Sequence, residues 1–138
     1  MNSEKIISIL KDYAFGPAAS SGEPFKLMLL YGSVAKDRFK AHSDVDIAVS
    51  ADRPLSEDRL LETGAELSAL LDRPVDVLDL FSTEGLILYK IMTGHIRIKI
   101  DAALYVKYYS KALGFREDFK PLQDMMREAR IGRFIHGS

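Results

Sequence analysis

The sequence of 138 residues contains no cysteine and no tryptophan. The lack of cysteine excludes a disulfide framework, a thiolate metal site and a thiol nucleophile, and fits a cytoplasmic setting. Long hydrophobic runs are also missing: Leu27-Met28-Leu29-Leu30-Tyr31 is among the longest, about a quarter of the ~20 residues that cross a bilayer. No membrane span is expected. The opening residues, MNSEKIISILKDYAF, break their apolar character with Glu4, Lys5, Lys11 and Asp12 and offer no small-residue cleavage site, so no secretory signal is expected. There are no internal repeats and no Pro- or Ser-rich linkers; only Ala18-Ala19-Ser20-Ser21-Gly22 reads as a flexible loop. The net charge of -1 gives no overall basic footprint, and direct nucleic-acid binding is not expected.

What is present is an ordinary globular composition, 47% hydrophobic and 28% charged. The length suits one core, so residues 1–138 are read as a single domain, with a core over about 1–100 and C-terminal helices over about 101–131. The small net charge conceals an asymmetry. Asp44 to Glu84 holds eleven acidic and three basic residues, a balance of -8, while Lys90 to Lys111 holds five basic and one acidic, +4. Solvated helix faces account for most of these charges, but carboxylates that converge need cations to hold them together.

Residues 3–14 carry apolar positions Ile6, Ile7, Ile9, Leu10 and Ala14 at helical spacing. Phe25 to Tyr31 reads as a strand buried on both faces, running into Gly32-Ser33. Val45 to Val49 alternates, with Val45, Ile47 and Val49 on one side and Asp44 and Asp46 on the other. Ser56 reads as the N-cap of a helix with Leu60, Gly64, Leu67 and Leu71 on one face, ending before Pro74. Leu55 and Leu60 can staple its start. Val75 to Leu80 is a third strand and Ser82 to Thr93 a helix stopped by Gly94. Ile96, Ile98 and Ile100 alternate as an edge strand. Asp101 caps a helix to Leu113, closed by Gly114, and a last helix from about Asp118 carries Phe119, Leu122, Met126 and Ala129. The pattern predicts an α/β (α+β) fold with a small mixed sheet, helices packed on it, and a helical tail.

The stretch that carries chemistry is Leu30-Tyr31-Gly32-Ser33-Val34-Ala35 followed by His42-Ser43-Asp44-Val45-Asp46-Ile47. A Gly-Ser pair between strand and helix is commonly a turn with an N-cap; it can also present backbone N–H groups and a hydroxyl to a phosphate. Two aspartates at i and i+2 of a strand share one face, within reach of one hard cation such as Mg²⁺. In isolation such a pair usually just faces water. Here it follows the Gly-Ser turn, and a third acid, Asp76, stands between Val75 and Val77, where a carboxylate is costly without a partner. Asp79 is the weaker candidate, since alternation points it away from Asp76.

Gly32-Ser33, Asp44-x-Asp46 and Asp76 on a later strand resemble the nucleotidyltransferase superfamily typified by DNA polymerase β. The short chain is most similar to the minimal nucleotidyltransferase (MNT) antitoxins of HEPN/MNT toxin-antitoxin pairs. The resemblance implies that Gly32, Ser33 and Lys36 bind the triphosphate of ATP. It implies that Asp44 and Asp46 hold two catalytic Mg²⁺ ions, about 3.5–4 Å apart, and that Asp76 completes the metal site beside the attacking hydroxyl. The implied activity is Mg²⁺-dependent transfer of AMP to a tyrosine of a HEPN ribonuclease toxin, with which the chain forms a hetero-oligomer. Asp37 stands where the family has a glycine after its basic residue, which removes backbone freedom and adds an acid near the phosphates. That departure favours the alternative of a weak or inactive antitoxin that inhibits by binding. A transferase acting on a small molecule such as an aminoglycoside needs a further domain, for which there is little room.

His42, His95 and His136 lack metal-ligand spacing, so no zinc site is expected. Tyr105, Tyr108 and Tyr109 form a stripe better explained by core packing or a partner surface than by base stacking. Ser33 has no histidine–acid pair suited to nucleophilic catalysis.

Overall fold

A computed structural model describes residues 2–16, 23–36 and 43–115. The loop read at 18–22, Asp37, His42, His136 and the stripe Phe119, Leu122, Met126 and Ala129 lie outside the described residues. Helix α1 (Ser3–Phe15) starts at Asn2, whose side chain accepts a hydrogen bond from the Lys5 amide at 2.9 Å. Strand β1 (Leu27–Tyr31) passes directly into a single helical turn, α2 (Gly32–Ala35), and the chain returns as β2 (Val45–Ser50). Helix α3 (Glu57–Leu71) is capped by Ser56, whose hydroxyl accepts from the Arg59 amide at 3.1 Å, and it stops at Asp72 in the left-handed conformation, before Pro74. Then come β3 (Val75–Asp79), a 3-10 turn (Leu80–Ser82), α4 (Gly85–Thr93), β4 (His95–Lys99) and α5, helical from 102 to the last described residue, 115.

The four strands form one sheet in the order β3-β2-β1-β4, with β2 and β3 parallel and the β1–β2 and β1–β4 pairs antiparallel. Helices cover both faces. On one face Ile6, Leu10 and Ala14 of α1 and Leu67 and Leu71 of α3 meet Met28, Leu30, Ile47 and Val49. On the other Leu88, Ile91 and Met92 of α4 and Tyr108 and Ala112 of α5 meet Leu27, Leu29 and Ala48. Leu27 to Leu30 are wholly buried, as a continuous apolar run in a central strand requires. β4 is an edge strand with a bulge opposite Met28 and Leu29.

Three boundaries and faces differ from the sequence reading. β2 was expected to expose one side, yet Ala48 and Ser50 are fully buried. The second helical layer covers them, and Ser50 Oγ shares a hydrogen bond with the Tyr108 hydroxyl at 3.1 Å, so a hydroxyl at the end of the polar row becomes a satisfied core group. The helix expected from Ser82 begins at Gly85. Asp79 accepts the Phe81 amide at 3.0 Å to form the separate 3-10 turn, and Gly85 has φ +67°, which no continuous right-handed helix contains. α5 runs through Gly114 to Phe115, since a glycine in ordinary helical geometry costs only about 1 kcal/mol.

Between the two helices of the first face the Tyr13 hydroxyl donates to Glu66 Oε2 at 2.5 Å. Burial first, and then Glu66, push the Tyr13 phenol up from 10.0 to about 12. Because the folded value lies above the unfolded one, this contribution is complete below pH 10 and disappears as the pH rises towards 12. Tyr13→Phe is expected to lower urea stability by about 1 kcal/mol at neutral pH and to flatten the loss of stability between pH 10 and 12. Urea titrations across that range check both.

Candidate active site

β1 and β2 are antiparallel, so the C-terminal end of β1 and the N-terminal end of β2 lie side by side, and the turn that follows β1 closes over the residues that open β2. Gly32 has φ +78° and sits so close to Asp46 that a Cβ there would collide with the Asp46 carboxylate. Only glycine meets both demands. Ser33, half-buried, begins the same one-turn helix, whose first N–H groups have no intrahelical acceptors. The Lys36 amide closes that turn on the Gly32 carbonyl at 3.3 Å, while its side chain reaches Gly94 at the head of β4.

Asp46 lies directly opposite Asp76 in the parallel β2–β3 register. Asp44, two residues earlier, is exposed, as is Asp76, and Asp46 is half-buried. The Asp46 carboxyl is raised above the usual carboxylate value, first by burial, then by the charges of Asp76 and Asp44, and by a hydrogen bond with Asp76. These three acids therefore share one electrostatic environment. Among the described residues, however, no three His, Asp or Glu side chains are gathered closely enough to hold a metal ion. Asp79 belongs to a different environment. It is buried, and its carboxylate oxygens accept the Leu55 amide at 2.9 Å and the Phe81 amide at 3.0 Å, which makes it a structural brace, turned away from Asp76 as alternation requires.

Two residues extend the site beyond the sequence-derived set. Tyr31 pairs with Asp46 on one side and with His95 on the other. Asp76, Asp46, Tyr31 and His95 thus form one row across all four strands. Burial first, and then Asp46 and Asp76, push the Tyr31 phenol up to about 12, so it stands in the row as a neutral donor. His95 hydrogen-bonds the Ile91 carbonyl through Nδ1 at 2.8 Å and the Tyr105 hydroxyl through Nε2 at 3.0 Å. Its pKa is lowered, chiefly by burial, so Nδ1 donates to the carbonyl and Nε2 accepts from Tyr105. No spacing in the sequence joins residues 31, 46, 76 and 95. Only the strand register does.

The chain was compared with known proteins. A family model described as polymerase beta, nucleotidyltransferase, matches residues 4–103. Protein adenylyltransferase MntA of Shewanella oneidensis is 30% identical over 93 residues, 67% of this chain and 61% of that protein, so the match spans about three fifths of the relative's length. A crystal structure of a toxin-antitoxin with AMP-PNP superposes with a TM-score of 0.68 at 23% identity, covering 95% of this chain and 99% of the other. The tri-AMPylated Shewanella oneidensis HEPN toxin in complex with MNT antitoxin gives 0.62 at 22% identity, covering 94% and 96%. At these identities the structural likeness establishes the fold.

Two outcomes follow from the geometry. Like charges directly opposite on neighbouring strands are destabilising by roughly 0.2–1 kcal/mol. Because the folded Asp46 value is raised, the proton favours the fold at acidic pH, and the ionised group opposes it once the pH passes that value. Asp46→Asn is therefore expected to raise the melting temperature of the metal-free protein at pH 7 by roughly 2 °C, read by calorimetry in EDTA. Gly32→Ala is expected to cost about 1–3 kcal/mol from its strained φ alone, measured by urea denaturation, and to displace Asp46.

Proposed function

Since this chain belongs to the polymerase β nucleotidyltransferase family, we propose that it is a Mg²⁺-dependent protein adenylyltransferase and antitoxin. In this reading it moves AMP from ATP to a tyrosine of a HEPN-type toxin, its partner in a hetero-oligomer. The observation that carries the reading is the Gly32 turn seated directly on Asp46, with Asp76 in register beside it. A phosphate-binding turn and a carboxylate pair are thereby joined in one site. The Shewanella oneidensis relative named as a protein adenylyltransferase supports the same activity, and the complex of an MNT antitoxin with a tri-AMPylated HEPN toxin supports the same partner. A cysteine-free chain that consumes ATP supports a cytoplasmic location; among the described residues no helix is long and apolar enough to cross a membrane.

The carboxylates suit Mg²⁺, which takes hard oxygen donors, one or two of them carboxylates, and completes its shell with water and substrate phosphates. That preference matches a site in which burial and then the neighbouring acids Asp76 and Asp44 already raise Asp46. Asp44, Asp46 and Asp76 would hold the metal, two ions being expected; when bound it neutralises phosphate charge and makes a coordinated hydroxyl more acidic. The chain's own residues do the rest. The N–H groups at Gly32 and Ser33 and the Ser33 hydroxyl hold the polyphosphate, and Lys36 adds a positive charge on the β4 side of the turn. The acceptor oxygen forms its bond to the α-phosphorus as the bond to the β-phosphate's bridging oxygen breaks. Pyrophosphate leaves, and exposed Asp76 receives the acceptor's proton.

The wild-type chain, incubated with its toxin partner, ATP and Mg²⁺, is expected to add one or more AMP masses to the partner in intact-mass spectrometry. Asp44→Asn with Asp46→Asn nearly preserves volume, so this double variant is expected to fold and to bind the partner while transfer falls by about a thousandfold or more. A wild type that silences the partner without changing its mass overturns transfer in favour of inhibition by binding.

A further inference from the structure

The row that begins at Asp76 and Asp46 ends at His95, and there it opens into a cleft of about 520 Å³ lined by Met92, His95, Arg97, Tyr105 and Tyr109 among others. The size is that of a small-ligand site. Its walls are flat and polarizable. The Tyr105 ring meets His95 edge-on at 5.5 Å between centroids, Tyr109 lies 6.0 Å from Tyr105 at a 39° tilt, and the Arg97 guanidinium lies 4.9 Å from the Tyr105 ring centroid. Tyr108, the third tyrosine of the stripe, is buried against Ser50. The stripe therefore divides, with Tyr108 in the core while Tyr105 and Tyr109 rest against the core and present their remaining surface to the cleft.

We propose that this cleft is the nucleobase subsite of the nucleotide substrate, with Tyr105, Tyr109 and Arg97 stacking on a purine ring. The inference rests on the nucleotidyltransferase reading, because the carboxylates and the Gly32 turn place the α-phosphate. His95 lies two strands from Asp46 in register, roughly 10 Å away, a separation that a nucleoside attached to that phosphate spans. Charge agrees with the direction. The β3 side of the row is acidic, with Asp44 and Asp76, so an anionic nucleotide extends away from it, towards β4. Aromatic rings and a guanidinium plane bind any base through its π face. His95 spends both ring nitrogens on Ile91 and Tyr105 and acts as a positioning residue that sets the Tyr105 ring at the cleft wall.

The test compares ATP with tripolyphosphate, which shares the phosphates and lacks the base, both with Mg²⁺ and the full chain. Tyr105→Ala is expected to weaken ATP binding about tenfold and Tyr105→Phe to stay within about twofold of wild type, with tripolyphosphate affinity unchanged in both. Equal loss of the two ligands, or no loss of ATP affinity, overturns the proposal. So does unchanged ATP affinity with a raised KM for the toxin partner, which would assign the cleft to the acceptor. A second measurement needs no variant. With no tryptophan present, the emission of the chain comes from its six tyrosines, and ATP is expected to quench it beyond a free-tyrosine inner-filter control while tripolyphosphate is not; equal quenching overturns the subsite. Failure of the wild type to bind Mg²⁺-tripolyphosphate is a different result, overturning the phosphate and metal site on which this inference stands.

Discussion

The contact between Gly32 and Asp46 is the constraint around which the rest of this end of the molecule is arranged. A residue with φ +78° and no side chain lets the turn after β1 lie on the carboxylate that opens β2. A side chain at 32 would be strained by that φ and would displace the Asp46 carboxylate from beneath the turn. The β1–β2 pairing serves the same end, because antiparallel strands put the end of one beside the start of the next. Parallel pairing then brings in Asp76 from β3, at the cost of facing one carboxylate with another. The strain of the site is thus both conformational, at Gly32, and electrostatic, at Asp46, where a cation would relieve it.

Much of this was readable from residue order. Continuous apolar character at Leu27 to Leu30 marked a central strand, Ser56 and Asp101 marked helix starts, and the spacing of Gly32, Asp44 and Asp46 marked the site, because each of these signals is local. The signals that failed depend on what packs from elsewhere. Ser50 lay just beyond the stretch read as a strand and gave no sign of burial; a tyrosine 58 positions later buries and satisfies it. Ser82 looked like a helix start because nothing nearby reveals that Asp79 draws Phe81 into a separate turn. The row Asp76–Asp46–Tyr31–His95 was invisible for the same reason: its members are neighbours only through strand order and register, which no spacing in the chain encodes.

The two helical layers divide the labour of the fold. α1 and α3 build an apolar layer with a polar tie from Tyr13 to Glu66. α4 and α5 cover the other face only in part. They bury Leu29, Ala48 and Ser50 and leave the ends of the strands, with Asp46, Asp76 and Tyr31, accessible. Polar residues at that end are tolerable because water or ligand reaches them, whereas the same residues one pair deeper would need partners of their own. Tyr108 and Tyr105 mark the boundary: one is in the core against Ser50, and the other is braced by His95 at the rim.

β1 is a central strand, hydrogen-bonded on both edges and covered on both faces. Its backbone amides therefore open only when the whole domain does, the behaviour of the slowest-exchanging unit of a protein. Tyr31 and Gly32 are the last residue of that strand and the first beyond it. A turn tethered to a buried central strand has less ordering entropy to lose when a ligand arrives. A turn set on a freely moving loop would surrender part of any affinity to that ordering.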